Sequence, residues 1–287
     1  MQRELGPYGS WDDDSKTSKM LLDPYPGPRA PQINTLWVVV PFSRPHYFDN
    51  VWRNFERQRF PGKRLLIAAN GLGSGAESMW RDLGADFIAT RDHQSTAKNE
   101  ALAFIRKHGG GCFSIMDDDD WYGPGYLDEV AGYAKDYEAL GKQWHFVSLG
   151  EGDPGEVTFV CANRRYANLD PASWFTGGTI SGWAETAKDF PVVAEGEDIQ
   201  WCHAMKRQGA RLRGLSIYHY LYRRSYGGAK HAWRITRQAF ERALRVGDAL
   251  EFPLTGMGQI DLDIVTGEKN PTECRLIGQQ KFVAVPA

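Results

Sequence analysis

Residues Phe113–Tyr122, which read FSIMDDDDWY, carry the most informative pattern in the sequence. Its mostly apolar beginning predicts a buried strand, and the run ends in four consecutive aspartates before a Gly-Pro-Gly break. In an extended chain alternate side chains share a face, so we expect Asp117 and Asp119 to point one way and Asp118 and Asp120 the other. Carboxylates that converge at a strand end repel each other, and a divalent cation with phosphate oxygens relieves that repulsion. The stretch therefore predicts a cation site at the end of a strand.

Upstream of this stretch, the sequence alternates between apolar runs and segments with apolar residues at a helical period. The pattern predicts strand 36–40, helix 48–55, strand 65–69, helix 76–83, strand 86–90 and helix 95–108. This order is typical of an α/β fold of Rossmann-like type, with a mostly parallel central sheet flanked by helices. Ligands of such sheets bind beyond the carboxyl ends of the strands. Four loops are predicted at that edge, namely residues 42–45, 70–71, 92–95 and 117–120.

Composition narrows the class of protein. A chain of 287 residues that is 42% hydrophobic and 24% charged can bury a large core. Its formal net charge of −2 gives no sign of a general polyanion-binding surface. The four cysteines are widely spaced without a CxxC pair, so we expect reduced thiols rather than a zinc site or a disulfide framework. Residues 1–14 are polar and the most apolar run, 36–42, is too short to span a bilayer, which predicts a cytoplasmic protein without a membrane span.

Two segments carry a resemblance to a known enzyme family. Residues 95–102 read STAKNEAL, and residues 115–124 read IMDDDDWYGP. Together they resemble the family 2 glycosyltransferases of the GT-A fold, in which an (A)RNxAL helix leads into a strand that ends in DxDD. The opening VVVPFSRP, at residues 38–45, is similar to the first strand and base-contacting loop of that family. The resemblance runs from about residue 36 to residue 222.

The resemblance implies a metal-dependent glycosyltransferase that moves a sugar from a nucleotide-diphosphate sugar, with a UDP-sugar favoured, to an acceptor hydroxyl. Asp119 is then the principal ligand of Mn²⁺ or Mg²⁺, and Asp117 contacts the metal or the ribose. The other residues implied to bind the nucleotide are Pro41, Phe42, Ser43, Arg44, Asn70, Asp92, Lys98 and Asp118. The family has Asp where Asn70 stands and Arg where Lys98 stands, which leaves the nucleobase open. A solvated acidic loop or helix start is the alternative for the aspartate run.

A second acidic segment, residues 195–201, reads EGEDIQW and resembles the ED motif of the same family. In inverting members a carboxylate there is the general base that accepts the proton of the acceptor hydroxyl. The resemblance thus implies Asp198 as the base, with Glu197 as the second choice, and displacement in a single step. The alternative is that both acids only complement the dipole of the helix that they begin.

Residues 174–179 resemble the loop that lines the acceptor and sugar pocket in this family. The pocket residues that we predict are Trp121, Trp174, Gly177 and Gly178. Glycines allow close approach of the backbone to a ligand, whereas Trp174 and Trp183 are explained equally well as core residues.

His219 is the candidate for a third metal ligand. Related enzymes often place a metal-binding histidine after the ED helix, a role that His219 or His231 could fill. Because His219 lies on a predicted strand with Ile217 and Leu221, the alternative is that it is a buried histidine with a structural role.

The resemblance also divides the chain into parts. Residues 34–246 are predicted to form the catalytic domain, with a nucleotide-binding half at 34–125 and an acceptor half at 126–246. Residues 1–33 carry four prolines between positions 24 and 31, so we predict an extended or disordered arm, or one that packs on a second subunit of a homo-oligomer. Residues 247–287 are predicted to form a β-rich extension. Within the acceptor half we predict a helix at 126–140, strands at 146–149 and 157–162, a helix start at 195–198, a strand at 215–222 and a basic helix at 230–246.

Two other functions are compatible with parts of the sequence. A sugar-phosphate nucleotidyltransferase shares the fold, but it carries a glycine-rich basic signature after the first strand that PFSR at 41–44 does not supply. A non-catalytic GT-A scaffold, acting as a binding or structural protein, is the second, and the intact carboxylate pairs argue against it. The acceptor, whether glycan, protein, lipid carrier or modified nucleic acid, is not determined by the sequence.

Overall fold

The structure is a computed structural model of the chain, and it divides into two compact units. The first unit comprises Met1–Pro26, Trp144–Ala167 and Tyr222–Ala287, and the second comprises Gly27–Gln143 and Asn168–Leu221. The residues that the structure describes are 3–4, 9–12, 19–22, 25, 27–72, 74–91, 93–143, 145–149, 159–163, 174–193, 196–224, 249–251, 262–268 and 274–277.

Sixteen strands and six α-helices are found among the described residues. In chain order the strands are β1 (Arg3–Glu4), β2 (Gly9–Asp12), β3 (Lys19–Leu22), β4 (Leu36–Phe42), β5 (Lys63–Asn70), β6 (Asp86–Thr90), β7 (Cys112–Ile115), β8 (Trp121–Tyr122), β9 (Ala139–Gly141), β10 (Phe146–Leu149), β11 (Phe159–Asn163), β12 (Ser181–Trp183), β13 (Leu212–Gly214), β14 (Tyr220–Arg224), β15 (Ala249–Glu251) and β16 (Cys274–Ile277). The helices are α1 (Phe48–Glu56), α2 (Ser74–Asp82), α3 (Gln94–Lys107), α4 (Tyr126–Tyr133), α5 (Glu197–Arg207) and α6 (Leu262–Thr266).

The second unit is built on a seven-stranded sheet in the order β13-β9-β12-β7-β4-β5-β6. β4 lies between β5 and β7 and runs parallel to both, with Leu36 opposite Lys63 on one side and Cys112 on the other. β12 is antiparallel to its two neighbours, β7 and β9. Every residue of β4 is buried, as expected for a strand covered on both faces. The predicted α/β architecture with a mostly parallel central sheet is confirmed.

Helix α3 shows why these elements pack as they do. It contacts β4, β5 and β6, and its inner face consists of Ala97, Ala101, Leu102 and Ile105, which are all buried. These residues recur at the three- and four-residue spacing of one helix face, and the small alanines let the helix approach the sheet closely. The carboxyl end of β7 is thereby fixed above a packed core that also contains Phe113 and Ile115.

Two predicted elements of the second unit are wrong in extent. The helix predicted at 126–140 ends at Tyr133, because Ala139 and Leu140 pair with β12 and β13 as a strand. Of the strand predicted at 215–222, only the end is a strand, namely β14, which begins at Tyr220, and β13 ends before it at Gly214. The intervening segment is turned aside by polar contacts, since the Ser216 N–H and hydroxyl both donate to the buried carboxylate of Glu129.

The strands of the first unit pair in an antiparallel manner. Seven strands that lie wholly in this unit pair in the order β1-β2-β3-β16-β15-β11-β10, and each pair is antiparallel. Residues 1–33, predicted to form an extended or disordered arm, contain β1–β3, and the four prolines all follow β3 in the sequence. The predicted basic helix at 230–246 lies outside the described residues. None of the helices that the structure describes has the length and apolar character needed to cross a bilayer.

Candidate functional site

The loop that follows β7 is bent, and two asparagines of α1 hold the bend. Asn50 Nδ2 donates to the carbonyl oxygens of Asp118 and Asp120, at 2.7 and 2.9 Å. Asn54 is buried, and its Nδ2 donates to the Asp120 carbonyl at 2.8 Å, while its Oδ1 accepts the Tyr122 N–H at 3.1 Å. These bonds satisfy loop groups that would otherwise need strand partners. The aspartate run therefore leaves the strand direction.

The bend changes which aspartates meet. The alternation expected of an extended chain is wrong, because β7 ends at Ile115 and the aspartates follow in a bent segment. Carboxylate oxygens of Asp117, Asp119 and Asp120 lie within 4.8 Å of one another. No other group of three or more His, Cys, Asp or Glu side chains converges in this way in the part of the chain that the structure describes. Three hard oxygen donors at this spacing suit Mn²⁺ or Mg²⁺.

Arg44, in the loop between β4 and α1, balances part of this negative charge. Its Nη1 donates to Asp119 Oδ2 at 3.0 Å and its Nε to Asp118 Oδ2 at 3.3 Å, while its Nη2 pairs with Asp118 Oδ1. Its guanidinium carbon lies 4.9 Å from the centre of the Tyr47 ring. The structure thus places one predicted nucleotide-binding residue, Arg44, directly on the predicted metal ligand Asp119.

Asp118 and Asp120 are the two most buried aspartates of the run. Asp118 is 2% exposed, and burial raises its pKa to about 6, although the Arg44 guanidinium opposes the rise, so the carboxylate ionises at neutral pH. Asp120 is fully buried, and its Oδ2 accepts the Tyr220 hydroxyl at 2.6 Å. Asp118 therefore belongs to the arginine pair, whereas Asp120 joins the three-carboxylate cluster from the core side.

A glycine turn lies against the cluster. The 3₁₀ helix Gly177–Thr179 brings Gly178 so close that a Cβ there would lie 2.7 Å from Asp117 Cγ and 2.9 Å from the Tyr122 hydroxyl oxygen. That hydroxyl donates to the Gly178 carbonyl at 2.6 Å and accepts the Asp117 N–H at 2.7 Å. Only a residue without a side chain fits at this contact. The predicted glycine turn and the predicted cation site are thus joined through one tyrosine.

The second acidic segment begins α5, where its two carboxylates have different environments. Glu197 Oε1 accepts Lys98 Nζ at 3.2 Å, and Lys98 is 1% exposed. Burial opposes ionisation of Glu197, but the Lys98 charge prevails and lowers its pKa. For Asp198, burial raises the pKa and the Glu197 charge adds to the rise, against a hydrogen bond from the Ile199 N–H. A carboxylate with a raised pKa is the better proton acceptor of the two.

Gly177 connects the two acidic segments in space. A Cβ on Gly177 would lie 3.7 Å from Asp198 Oδ2 and 3.8 Å from Lys98 Nζ, while a Cβ on the next residue would meet Asp117. Two successive residues of one turn thus contact the candidate base and the candidate cation site. The structure brings together six residues of the predicted site, namely Asp117, Gly177, Gly178, Lys98, Glu197 and Asp198.

His219 lies in a different place from the carboxylate cluster. A Cβ on Gly123 would lie 2.9 Å from His219 Nδ1, and a Cβ on Gly125 would lie 2.5 Å from Nε2, so the ring rests on the Gly-Pro-Gly break. Its φ of 63° is incompatible with the predicted strand. Burial, followed by the charges of Lys142 and Arg59, lowers the pKa of His219 to about 3 and keeps the ring neutral. This placement favours the structural alternative for His219.

Other predicted nucleotide-binding residues lie at the ends of β4 and β5. Phe42 is buried and meets Trp80 edge-to-face at 5.4 Å, so its ring belongs to the core. Pro41 is buried beside it, whereas Ser43 is exposed. Asn70 is half-buried at the last position of β5. The side chains that remain open to a ligand are therefore those just beyond the strand ends.

The two predicted pocket tryptophans are mostly enclosed. Trp121 is 6% exposed, with the Arg57 guanidinium carbon 5.3 Å from the centre of its ring. Trp174 is half-buried and packs on the hydrophobic core of the second unit. Both positions agree with the core alternative.

The predicted residues Asp92 and His231 lie outside the described residues.

Sequence reasoning missed the polar residues that shape the site. They are Asn50, Asn54, Gln94, Tyr122 and Tyr220; of these, Gln94 Nε2 donates to Asp117 Oδ1 at 3.2 Å. A signal was present for the asparagines, because they stand four residues apart on α1 and so share one face of that helix. The tyrosines carried no signal, since nothing local separates them from core aromatics.

Neither a protein-family model nor a curated protein matches this chain. Among solved structures, the mannosyltransferase PcManGT from Pyrobaculum calidifontis, in complex with GDP-Man and Mn²⁺, is similar with a TM-score of 0.50 and 19% identity, over 79% of this chain and 69% of that chain. GalNAc-T7 with UDP, GalNAc and Mn²⁺ gives 0.48 and 10% identity, over 75% of this chain and 48% of that chain. S. aureus TarS gives 0.44 and 15% identity, over 74% and 38%.

At these identities the likeness shows the fold, and the chain has a GT-A-like glycosyltransferase fold. The cluster of Asp117, Asp119 and Asp120 fits a DxD-like metal site on that fold. The cluster fits such a site in the chemistry and the spacing of its donors, because all three residues supply carboxylate oxygens at the carboxyl end of β7.

Proposed function

We propose that the protein is a metal-dependent glycosyltransferase that moves a sugar from a nucleotide-diphosphate sugar to an acceptor hydroxyl. The observation that carries the proposal is the convergence of Asp117, Asp119 and Asp120 beyond the carboxyl end of β7, on a GT-A-like sheet. The similar mannosyltransferase structure, which contains GDP-Man and Mn²⁺, supports this class of ligand. Membership of family 2 and a cytoplasmic location belong to the same proposal.

Asp117, Asp119 and Asp120 would hold the metal, for which Mn²⁺ and Mg²⁺ are the candidates. When bound, such an ion supplies Lewis-acid stabilisation of the charge that develops on the departing nucleotide diphosphate. Hydrogen bonds within the protein hold these ligands in position before a metal binds. Tyr122 fixes the backbone of Asp117 through its hydroxyl, and the Tyr220 hydroxyl fixes the Asp120 carboxylate. Ligands that are held before binding lose less conformational freedom on binding.

Asp198 is the proposed general base, with Glu197 as its charge neighbour. Glu197 is committed to Lys98 by an ion pair, and the pKa of Asp198 is raised by burial and by Glu197. Asp198 would accept the proton of the acceptor hydroxyl as the oxygen attacks the sugar. Its position across the Gly177–Thr179 turn from Asp117 supports in-line displacement with inversion.

The nucleobase is proposed to bind beyond β4 and β5, near Ser43 and Asn70. The Asn70 side chain can both donate and accept hydrogen bonds, so it is compatible with more than one base. A UDP-sugar is the favoured donor, and a GDP-sugar is the alternative that the PcManGT structure supports. Trp174, Gly177 and Gly178 are proposed to line the sugar and acceptor side.

The test is a thermal-shift and calorimetric screen of UDP- and GDP-sugars with Mn²⁺, Mg²⁺ or EDTA. We expect at least one donor to raise the melting temperature only when metal is present, since binding at a hundred times Kd adds about 2.7 kcal/mol to the free energy of unfolding. Release of the nucleoside diphosphate from that donor would then be measured. Stabilisation by metal and donor without turnover supports a binding scaffold instead. Release of pyrophosphate from a nucleoside triphosphate and a sugar phosphate supports a nucleotidyltransferase.

A further inference from the structure

Arg44 contacts two of the four aspartates and has no role in the reaction proposed above. Its guanidinium joins Asp118 and Asp119 through three N–H groups, and its side chain is 22% exposed. One face of the guanidinium also lies near the Tyr47 ring, 4.9 Å from its centre. The residue belongs to a short loop between β4 and the 3₁₀ helix Pro45–Tyr47. A buried strand and a helix thus fix the two ends of the loop, while the side chain reaches the aspartate run.

Asp119 is shared between two arrangements that exclude each other electrostatically. It belongs to the three-carboxylate cluster, and its Oδ2 also accepts Arg44 Nη1 at 3.0 Å. A divalent cation bound to Asp119 would stand a few ångströms from the guanidinium charge. Like charges at such separations repel each other even near a protein surface. Arg44 therefore opposes binding of a cation as long as it stays on Asp119.

The geometry points to a partner that would draw Arg44 away. A planar guanidinium binds two oxygens of a phosphate side by side, as it binds a carboxylate. The diphosphate of a nucleotide-sugar bound at this cluster would present such oxygens and would bring two negative charges. Because the Arg44 side chain is partly exposed, it can leave Asp119 without unpacking the buried Asp118 or the strand beneath it.

We propose that Arg44 couples binding of the cation to binding of the nucleotide diphosphate. In the ligand-free protein Arg44 stabilises the crowded carboxylates and weakens the affinity for metal alone, and with diphosphate present it transfers its hydrogen bond from Asp119 to a phosphate oxygen. This inference rests on the proposed function, because it takes the cluster to be the metal and diphosphate site. Arg44 acts here as a positioning residue and touches no reacting atom.

The experiment compares the wild type with Arg44→Gln and with the matched control Arg64→Gln. Arg64 also pairs with an aspartate, Asp86 at 3.1 Å, and also stacks on an aromatic ring, Trp37 at 3.9 Å. Binding of Mn²⁺ alone is measured by calorimetry and by the loss of the free-ion electron paramagnetic resonance signal. The measurement is repeated with GDP and with UDP. Arg44→Lys, which keeps the charge without the planar fork, is the second variant in case Arg44→Gln does not fold.

We expect Arg44→Gln to bind Mn²⁺ alone at least about fivefold more tightly than the wild type, the lower end of usual coupling between sites. GDP or UDP should then raise the Mn²⁺ affinity of the wild type by a larger factor than that of Arg44→Gln. Arg44→Lys should lie between the two, and Arg64→Gln should match the wild type. Equal or weaker Mn²⁺ binding by Arg44→Gln and Arg44→Lys overturns the role of Arg44 and leaves the metal site standing. Absence of Mn²⁺ binding in every protein overturns the metal site and this inference with it.

Discussion

The two acidic segments of the second unit contain the same kind of side chain, but their negative charge is balanced by different groups. After β7, four aspartates are crowded at a strand end and are held by Arg44, by two tyrosines and by two asparagines. At the start of α5, two acids share one buried lysine, and that lysine pairs with Glu197. The pKa of Glu197 is lowered as a result, whereas the pKa of Asp198 is raised.

This difference shows how position divides tasks among chemically similar residues. A crowded cluster with fixed carboxylates favours a cation that replaces the repulsion with attraction. A single carboxylate of raised pKa beside a paired one favours proton transfer instead. The first three changes described below perturb one region and leave the other unchanged, and the fourth acts at the glycine turn between them.

The largest effect is expected for Asp119→Asn in the cluster. An amide keeps the shape but loses the charge, so Mn²⁺ binding should weaken and metal-dependent nucleotide release should fall by about a hundred- to a thousandfold, the usual cost of losing one group that stabilises transition-state charge. Calorimetry and a nucleotide-release assay measure the two quantities. Asp82→Asn, on an exposed position of α2, is the control and should leave both unchanged. Unaltered metal-dependent release by Asp119→Asn would remove Asp119 from its role.

Asp198→Asn should separate the second region from the first. Loss of the proton acceptor should slow nucleotide release about a hundredfold or more, the usual size of a general-base contribution. Mn²⁺ and nucleotide should still bind with wild-type affinity in calorimetry, because the carboxylate cluster is untouched. If release continues at the wild-type rate, Asp198 is not the base; if metal binding falls as well, the two regions are not independent.

The pH profile sharpens the contrast within α5. Asp198 must be ionised to accept a proton, and because its pKa is raised, activity should fall on the acid side at a higher pH than for an ordinary aspartate. Glu197→Gln removes a neighbouring negative charge and should move the acid limb of kcat to lower pH. Lys98→Met removes the positive charge and should move the limb to higher pH. Shifts in the same direction for both variants would contradict this electrostatic account.

The smallest effect is expected where the two regions meet, at the glycine turn. Gly178→Ala would place a Cβ 2.7 Å from Asp117 Cγ, so the carboxylate or the turn must shift. We expect a loss of about 1–3 kcal/mol in the free energy of unfolding, typical of overpacking, together with weaker Mn²⁺ binding. Denaturant titration and calorimetry measure these effects.

Gly75→Ala serves as the control for that change. Gly75 lies in α2, where a Cβ meets nothing within 4 Å, so alanine should stabilise the protein by about 0.5–1 kcal/mol. If Gly178→Ala behaves like Gly75→Ala, the turn does not constrain the cluster.

Much of the fold was open to prediction because it depends on local pattern. Buried parallel strands such as β4 are continuous apolar runs, and α3 repeats its apolar residues at the spacing of one helix face, so both are visible in sequence. The rule that ligands bind beyond the carboxyl ends of parallel strands then located the candidate site. The limits of α4 and the break between β13 and β14 were not visible, because sheet pairing and the buried Glu129 carboxylate decide them.

Local pattern was enough to predict that an apolar strand delivers four aspartates to the edge of an α/β sheet and that a second acidic pair begins a later helix. The partners of those carboxylates follow only from the three-dimensional packing. Hydrogen bonds from α1 bend the loop, so that Asp120 joins Asp117 and Asp119 while Asp118 pairs with Arg44. The physical reason is that charge pairing depends on distances of a few ångströms between residues far apart in the chain, which local patterns do not encode.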